Sequence, residues 1–244
     1  GGSGFLGRHV VRALAKRGYR IRVGVRRPEL AGHLQPLGKV GQIHAVQANL
    51  RYPASVEAAT RGAGIVVNLV GILAGSGAQT FDAVHVKGAA AVARAATAAD
   101  ARLVHVSAIG ADAESASAYA RSKAAGEVAV REASPESIIV RPSVVFGPED
   151  DFTNRFASVA RLMPLLPLIG GGETKMQPVY VGDVATAIAN AVDGTLRPGA
   201  TYELGGPEVL TLREINQIIL GITDRNRTLV PLPFGLAKFK ALFL

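Results

Sequence analysis

Strand-length apolar runs alternate with alanine-rich helical stretches over the first 142 residues of the chain. This alternation is typical of parallel strands that are joined by crossover helices, which cover both faces of the sheet. It predicts helices over 7–17, 53–60, 81–99 and 119–133, and strands over 20–25, 43–47, 64–70, 102–107 and 137–141. The predicted fold class is therefore α/β, with a doubly wound parallel sheet.

Beyond Pro142 the alternation gives way to segments punctuated by proline and glycine, with helices expected near 152–163, 183–192 and 211–221. We therefore expect two domains. Residues 1–142 would hold the sheet, and residues 143–244 would form a smaller α/β lobe on the substrate side, interleaved with the first domain.

Both ends of the sequence look cut. The strand that should precede the glycine-rich start is missing, and its absence should leave a gap that divides the sheet. At the other end, residues 234–244 begin an amphipathic helix without a stop signal. This tail is either a docking edge for a membrane-protein partner or an ordinary core helix.

Composition excludes several classes of protein. A hydrophobic fraction of 48% with 19% charged residues excludes a disordered chain. The absence of cysteine excludes disulfide scaffolds, thiolate metal sites and thiol nucleophiles. The apolar stretch 62–81 contains five glycines and polar side chains, so it does not predict a membrane span, and no secretory signal peptide is visible.

The net charge of +8 is confined to residues 1–27, which contain eight cations and no acid, while the remaining 19 cations match the 19 acids. A nucleic-acid binder usually spreads its cations over several elements. The local surplus therefore indicates a local anion, an acidic partner or anionic lipid, and we expect no nucleic-acid ligand.

The chain opens on a glycine-rich loop that runs directly into a helix, Gly1, Gly2, Ser3, Gly4, Phe5, Leu6 and Gly7. Glycines at these positions allow a tight turn and let a pyrophosphate approach the helix N-terminus. We therefore predict dinucleotide binding here, the alternative being a purely structural turn.

The second strand ends in Arg26 and Arg27, where an acid would select the free 2′-hydroxyl of NAD. A guanidinium group matches a 2′-phosphate instead, so NADP(H) is the preferred cofactor and NAD(H) the alternative. Solvent exposure of one or both arginines is the plainer interpretation.

Tyr119 and Lys123 stand four residues apart on one face of a predicted helix, after the strand that ends near Ser107. A phenol exchanges protons poorly at neutral pH unless a nearby cation favours its phenolate, which a lysine can do. The pair therefore predicts an acid–base group with a ribose-binding amine.

With these motifs, the chain resembles extended and atypical short-chain dehydrogenases/reductases over nearly its whole length. Within that superfamily it is most similar to the NAD(P)H-binding accessory subunits of respiratory complex I. Besides the glycine loop and the Tyr119–Lys123 pair, the resemblance is carried by Val67–Gly71, His105–Ala111, Arg141–Ser143, Phe146–Asp150 and Gln177–Val184. The stretches 141–156 and 177–185 are the more specific ones.

The resemblance implies a Rossmann fold and a role for each matching residue. The glycine loop would hold the pyrophosphate, Arg26 and Arg27 the adenosine phosphate, and Asn49 with Leu50 would lie at the adenine. Val70 and Gly71 would pass the nicotinamide ribose, Pro142 and Ser143 would line the nicotinamide, and Tyr119, Lys123 and Ser107 would form the catalytic set.

One departure from the family pattern weakens the expectation of hydride transfer. Active members place a hydroxyl in a run of serine and threonine residues after the fourth of these strands, whereas this chain has only Ser107 before Ala108 and Ile109. The resemblance then implies a respiratory accessory subunit that binds the nucleotide as a structural or regulatory element, contacts other subunits and meets the membrane only through them. It would lie on the bacterial cytoplasmic or mitochondrial matrix side.

Two alternatives stay open: a free-standing cytoplasmic reductase or epimerase, and a regulator that senses NADP(H). Other polar residues have plainer interpretations. His85 and His105 are expected to be structural, with no metal site, and Asp150 and Asp151 to cap a helix in preference to acid–base catalysis.

Overall fold

A computed structural model describes residues 1–233, and they form two compact units. The first unit comprises Gly1–Pro142 and Val181–Leu204, and the second comprises Ser143–Tyr180 and, among the described residues, 205–233. The break at Pro142 matches the predicted boundary. The return of the chain to the first unit corrects the assignment of 181–204, including the predicted helix 183–192, to the smaller lobe.

The helices and strands of the first unit agree closely with the predicted alternation. They are α1 (Phe5–Lys16), β1 (Ile21–Val25), β2 (Ile43–Gln47), α2 (Pro53–Thr60), β3 (Ile65–Asn68), α3 (Ala89–Ala98), β4 (Arg102–Val106), α4 (Ala118–Ala133), β5 (Ile138–Pro142), α6 (Val181–Asp193) and β10 (Thr201–Leu204). The predicted helix 81–99 is π-helical over Asp82–Gly88 before it continues as α3. A 3₁₀ helix over Pro28–Leu37 and the strand β10 were not predicted.

The second unit is built from shorter pieces. They are β6 (Val145–Phe146), α5 (Thr153–Leu162), β7 (Leu165–Ile169), a 3₁₀ turn (Gly170–Gly172), β8 (Lys175–Met176), β9 (Val179–Tyr180), β11 (Leu210–Thr211), α7 (Leu212–Ile222) and β12 (Thr228–Leu232). The predicted helices near 152–163 and 211–221 are α5 and α7, whereas these strands were not predicted.

All strand pairs of the first unit are parallel, but they form two separate ladders. One ladder is β1–β2, and the other has the order β10–β5–β4–β3. A mainly apolar cavity of about 220 Å³ lies where β1 and β3 face each other without pairing. The expected division of the sheet is therefore present.

Helices pack on the ladders through small and branched side chains. The buried face of α1 includes Val10, Val11 and Leu14, and α3 buries a run of alanines against Leu103 of β4. Arg141 of β5 donates two hydrogen bonds to Glu127 of α4, at 2.9 and 2.7 Å, and one to Glu203 of β10. These bonds fix α4, the helix of Tyr119 and Lys123, against the sheet.

No helix within residues 1–233 is both long and apolar enough to cross a membrane. The predicted tail helix over 234–244 lies outside the described residues.

Candidate functional site

A cavity of about 420 Å³ opens where β1, β2 and β3 end and α1 begins. In open α/β sheets, ligands bind at the carboxyl ends of the strands. Residues of the glycine loop, the three strand ends and the loop after β3 form its wall, namely Gly1, Ser3, Gly4, Phe5, Leu6, Gly7, Gly24, Val25, Arg26, Ala48, Asn49, Leu50, Arg51, Leu69, Val70, Gly71, Ile72, Gln79 and Val84. Most of the predicted cofactor residues are thus brought together.

The glycine loop forms a cradle that a side chain would fill. A Cβ atom on Gly7 would lie 2.3 Å from the Gly1 carbonyl oxygen, and one on Gly1 would lie 2.6 Å from the Leu69 carbonyl carbon. Gly4 precedes α1 without a side-chain capping bond, and the first turn of the helix contains no acid. The N–H groups of this turn therefore suit an anion, and these residues fit the pyrophosphate of a dinucleotide.

Gly2 was also predicted at the cofactor, but it faces away from this wall. A Cβ atom on Gly2 would lie 2.5 Å from Cγ1 of Val23, and Gly2 lines the apolar cavity between β1 and β3. Its missing side chain lets the loop pack on β1.

The part of the cavity wall that follows β1 and β2 is basic. Arg26 and Arg51 belong to this part, and among the described residues the wall contains no Asp or Glu. The Arg26 guanidinium donates to Oε1 of Gln79 at 3.0 Å. Arg27 is exposed and does not line the cavity, so the structure separates the two arginines that the sequence grouped.

Asn49 shapes the turn after β2. Its side-chain oxygen accepts the N–H of Arg51 at 3.1 Å, and its own N–H donates to the hydroxyl of Ser55 at 3.0 Å. These bonds expose the backbone of 48–51 along the cavity and bring in Arg51, which the sequence interpretation missed.

Tyr119 and Lys123 lie in the first two turns of α4, where Ser117 caps the helix by accepting the N–H of Ala120. The buried Lys123 Nζ donates to the carbonyl of Val106 at 3.1 Å and would be 3.8 Å from a Cβ atom on Gly71. Lys123 thus lies next to Gly71 of the cavity wall but does not itself line the cavity.

The protonation of this pair differs from the expectation that a lysine would favour the phenolate. Burial lowers the pKa of Lys123 to about 8, although Glu127 opposes the shift. Burial also raises the pKa of Tyr119. The phenol is therefore protonated at neutral pH, as a hydrogen-bond or proton donor requires.

Ser107 directly follows β4 and is buried. Its Oγ makes no hydrogen bond to another group within residues 1–233, so it is not bonded to the Tyr119 hydroxyl. A buried hydroxyl without a partner is costly, and a bound ligand can supply the missing bond. The catalytic role of Ser107 stays a prediction.

The boundary between the two units falls between Pro142 and Ser143. Pro142 ends β5, pairs with Leu204, and accepts the N–H of Ile109 at 3.0 Å. Ser143 begins the second unit. Neither residue lines the cavity at the glycine loop, so their contact with a nicotinamide also stays a prediction.

The two histidines have protein partners. His85 bonds through both ring nitrogens, to Ile72 and Ser122, and Nδ1 of His105 lies 3.1 Å from Nδ2 of Asn68. Within residues 1–233, no group of three or more His, Cys, Asp or Glu side chains is placed to hold a metal ion.

Asp150 has the predicted capping role. Its carboxylate accepts backbone N–H groups of Phe152, Thr153 and Asn154 at the start of α5. Although burial alone would raise the pKa of Asp150, hydrogen bonds from Thr153, Gly147 and Asn154 lower it.

Comparison with known proteins places the chain among nucleotide-dependent enzymes and their relatives. The family model described as "NAD dependent epimerase/dehydratase family" matches residues 1–205. The structure of UDP-glucose 4-epimerase from Thermus thermophilus in complex with NAD superposes with a TM-score of 0.76 at 25% identity, over 96% of this chain and 85% of that one.

Two curated relatives are more similar in sequence. The mitochondrial NADH dehydrogenase (ubiquinone) 1 alpha subcomplex subunit 9 of Arabidopsis thaliana is 38% identical over 99% of this chain and 61% of its own length. Ceramide reductase of Caulobacter vibrioides is 37% identical over 77% of this chain and 58% of its own length. The chain spans about three fifths of the length of each.

Proposed function

The chain belongs to the NAD dependent epimerase/dehydratase family, and we propose that it is an NADP(H)-binding accessory subunit of a respiratory NADH:ubiquinone oxidoreductase. The observation that carries the proposal is the 38% identity to a subunit of that name, which extends over 99% of the chain. The nucleotide would be a structural or regulatory element of the subunit.

The preference for NADP(H) rests on the wall of the cavity. Its two cations and its lack of carboxylates favour a ligand with an additional phosphate. Arg26 would hold the 2′-phosphate, and the backbone N–H groups at the start of α1 would hold the pyrophosphate.

The arrangement of the predicted catalytic residues supports a structural role for the nucleotide. The Ser107 hydroxyl is not bonded to the Tyr119 hydroxyl, and Lys123 Nζ donates to a backbone carbonyl. In enzymes of this family the bound nucleotide donates or accepts a hydride. In such a reaction, Tyr119 would be the proton donor at a substrate oxygen. The partners would be other subunits of the respiratory complex, and attachment to the membrane would be peripheral, on the cytoplasmic or matrix side.

The decisive experiment is purification of the intact protein from detergent-solubilised membranes of its source. We expect it to comigrate with NADH:ubiquinone oxidoreductase activity on a native gel, and to do so equally when Tyr119 is replaced by Phe. Recovery of the protein free of respiratory subunits would refute the accessory-subunit proposal.

The second candidate is a free-standing reductase. It is favoured by the similarity to ceramide reductase, together with a Tyr119–Lys123 pair whose lysine lies next to Gly71 of the cavity wall. Oxidation of NADPH by the purified protein, lost in the Tyr119→Phe variant, would support this candidate.

A further inference from the structure

A one-way series of hydrogen bonds connects the loop after β3 to the first turn of α4. The N–H of Ile72 donates to Nε2 of His85 at 3.0 Å. Because this N–H can only donate, Nε2 is the acceptor and Nδ1 carries the proton. Nδ1 then donates to Oγ of Ser122 at 2.8 Å, and the Ser122 hydroxyl donates to the carbonyl of Tyr119 at 2.7 Å.

Ring contacts add a second connection between the same residues. The imidazole of His85 stacks on Phe81 at 5.4 Å and meets the ring of Tyr119 edge-on at 5.6 Å. Phe81 also contacts the Tyr119 ring edge-on at 6.0 Å. The ring of Tyr119 is therefore oriented by contacts with two side chains, Phe81 and His85.

The backbone around His85 is specialised for this placement. His85 lies within the π-helical segment Asp82–Gly88, and wide helical turns of this kind are frequent at functional sites. Its carbonyl oxygen would be 2.2 Å from a Cβ atom on Gly126, so only glycine lets α4 approach this closely. The π-helical segment and α4 therefore pack closely together at His85.

We infer that His85 is a positioning residue, which links the backbone of the cofactor loop at Val70–Ile72 to the side chain of Tyr119. Nε2 holds the loop, and Nδ1 with Ser122 holds the turn that carries the phenol. For the nucleotide, the inference rests on the proposed function, because Val70, Gly71 and Ile72 form part of the cavity wall.

The charge state of the imidazole is consistent with this role. Burial, together with the nearby charge of Lys123, lowers the pKa of His85 to about 4. The ring is therefore neutral at physiological pH, with one nitrogen that accepts and one that donates.

Two substitutions separate the two ends of the link. In His85→Gln, the carboxamide reaches the position of Nε2 and can still accept from Ile72. In His85→Asn, it reaches only the position of Nδ1 and can still donate to Ser122. Ser122→Ala cuts the link on the Tyr119 side, and His44→Gln, at an exposed histidine of β2, is the matched control.

The first measurements need no nucleotide. In the unaltered protein we expect a nitrogen–nitrogen coupling by NMR across the hydrogen bond between Ile72 and His85. Exchange of the Ile72 amide should be about fivefold or more faster in His85→Asn and unchanged in His85→Gln and His44→Gln. The ¹³Cζ titration of Tyr119, assigned with Tyr119→Phe, should move toward that of an exposed phenol in Ser122→Ala.

NADPH titration then tests the connection to the cavity. His85→Asn should bind NADPH about fivefold more weakly, and His85→Gln should bind it within about twofold of the unaltered protein. Equal behaviour of the two variants, or absence of the coupling in the unaltered protein, would overturn the role of Nε2. An unmoved Tyr119 titration in Ser122→Ala would overturn the link to the phenol. If the unaltered protein binds no NADPH, the proposed function fails, whereas the nucleotide-free measurements still decide the role of His85.

Discussion

At the scale of single residues, the two arginines after β1 have different surroundings. Both side chains are exposed, but Arg26 lines the cavity and bonds to Gln79, whereas Arg27 lies outside the cavity. Sequence alone could not separate them, because neighbours at the end of a strand point to opposite faces, and which face meets the cavity depends on the fold.

This difference predicts unequal effects on cofactor selection. Arg26→Ala should weaken NADPH binding by ~10-fold or more, because a charge-assisted hydrogen bond to the 2′-phosphate is lost. NADH binding should change little, and the matched control Arg27→Ala should change neither. Calorimetric titration of both variants with both nucleotides provides the measurement. An equal loss of NADPH and NADH affinity in Arg26→Ala would contradict the 2′-phosphate assignment.

His105 predicts a pH dependence of stability. Burial, together with the charge of Lys123, lowers its pKa to about 3, whereas an unfolded histidine titrates near 6.5. Between these values the unfolded chain binds more protons, so stability falls as the pH is lowered.

The contribution of His105 has a slope of at most ~1.4 kcal/mol per pH unit below pH 6.5. His105→Asn keeps an acceptor for the side chain of Asn68 but cannot titrate, so its stability should vary less steeply between pH 6.5 and 4. Urea denaturation midpoints at several pH values measure this. Parallel pH profiles for the two proteins would contradict a neutral buried imidazole.

At the scale of elements, local pattern predicted the first unit well and the second unit poorly. The bounds of β2 and α2 match the predicted segments residue for residue, since apolar period and Pro53 are both local signals. The strands β6, β8, β9 and β11 have two residues each, too short for a pattern, and β7 and β12 contain prolines that argue against a strand.

The glycine loop was predicted because its four glycines lie within seven consecutive residues, but the hydrogen bonds around His85 were not predicted. His85 and Ser122 are separated by 37 positions, and only the packing of α4 on the π-helical segment unites them. Likewise, α6 was assigned to the wrong unit because its contacts are distant in sequence. Asp193 at its end accepts from Arg17 and Tyr19 beside α1.

The close packing of α4 on the π-helical segment leads to a prediction about Gly126. Gly126→Ala should destabilise the first unit by roughly 2 kcal/mol, because the new methyl group overlaps the His85 carbonyl and this overpacking outweighs the helix propensity of alanine. Gly221→Ala in α7 is the control, since a Cβ atom there meets nothing within 4 Å, and it should be neutral or slightly stabilising. Thermal and urea denaturation followed by circular dichroism measure both. A Gly126→Ala variant as stable as the unaltered protein would contradict the close approach.

At the scale of the whole molecule, the cations that make up the charge surplus of the first 27 residues have different roles. Arg17 pairs with Asp193, and Arg22 donates to the carbonyls of Ala59 and Arg61, so both hold the first unit together. Arg26 faces the cavity. A surplus that suggested one anionic partner is therefore partly structural, and the proposed anion needs only the cavity wall.

The cavity and the residues that border it all belong to the first unit, which determines where a nucleotide should stabilise the protein. A ligand that binds only the folded state at a concentration 100 times its dissociation constant adds about 2.7 kcal/mol to the stability of that state. We therefore expect NADPH to slow hydrogen exchange in segments 1–7, 24–26, 48–51 and 69–72 of the first unit. NADPH should not slow exchange directly within β7 and α7 of the second unit, because neither element lines this cavity. Mass spectrometry of exchanged peptides gives the map, with Arg26→Ala at the same NADPH concentration as the control that should lose most of the protection. Protection confined to the second unit would place the nucleotide elsewhere and refute the site at the glycine loop.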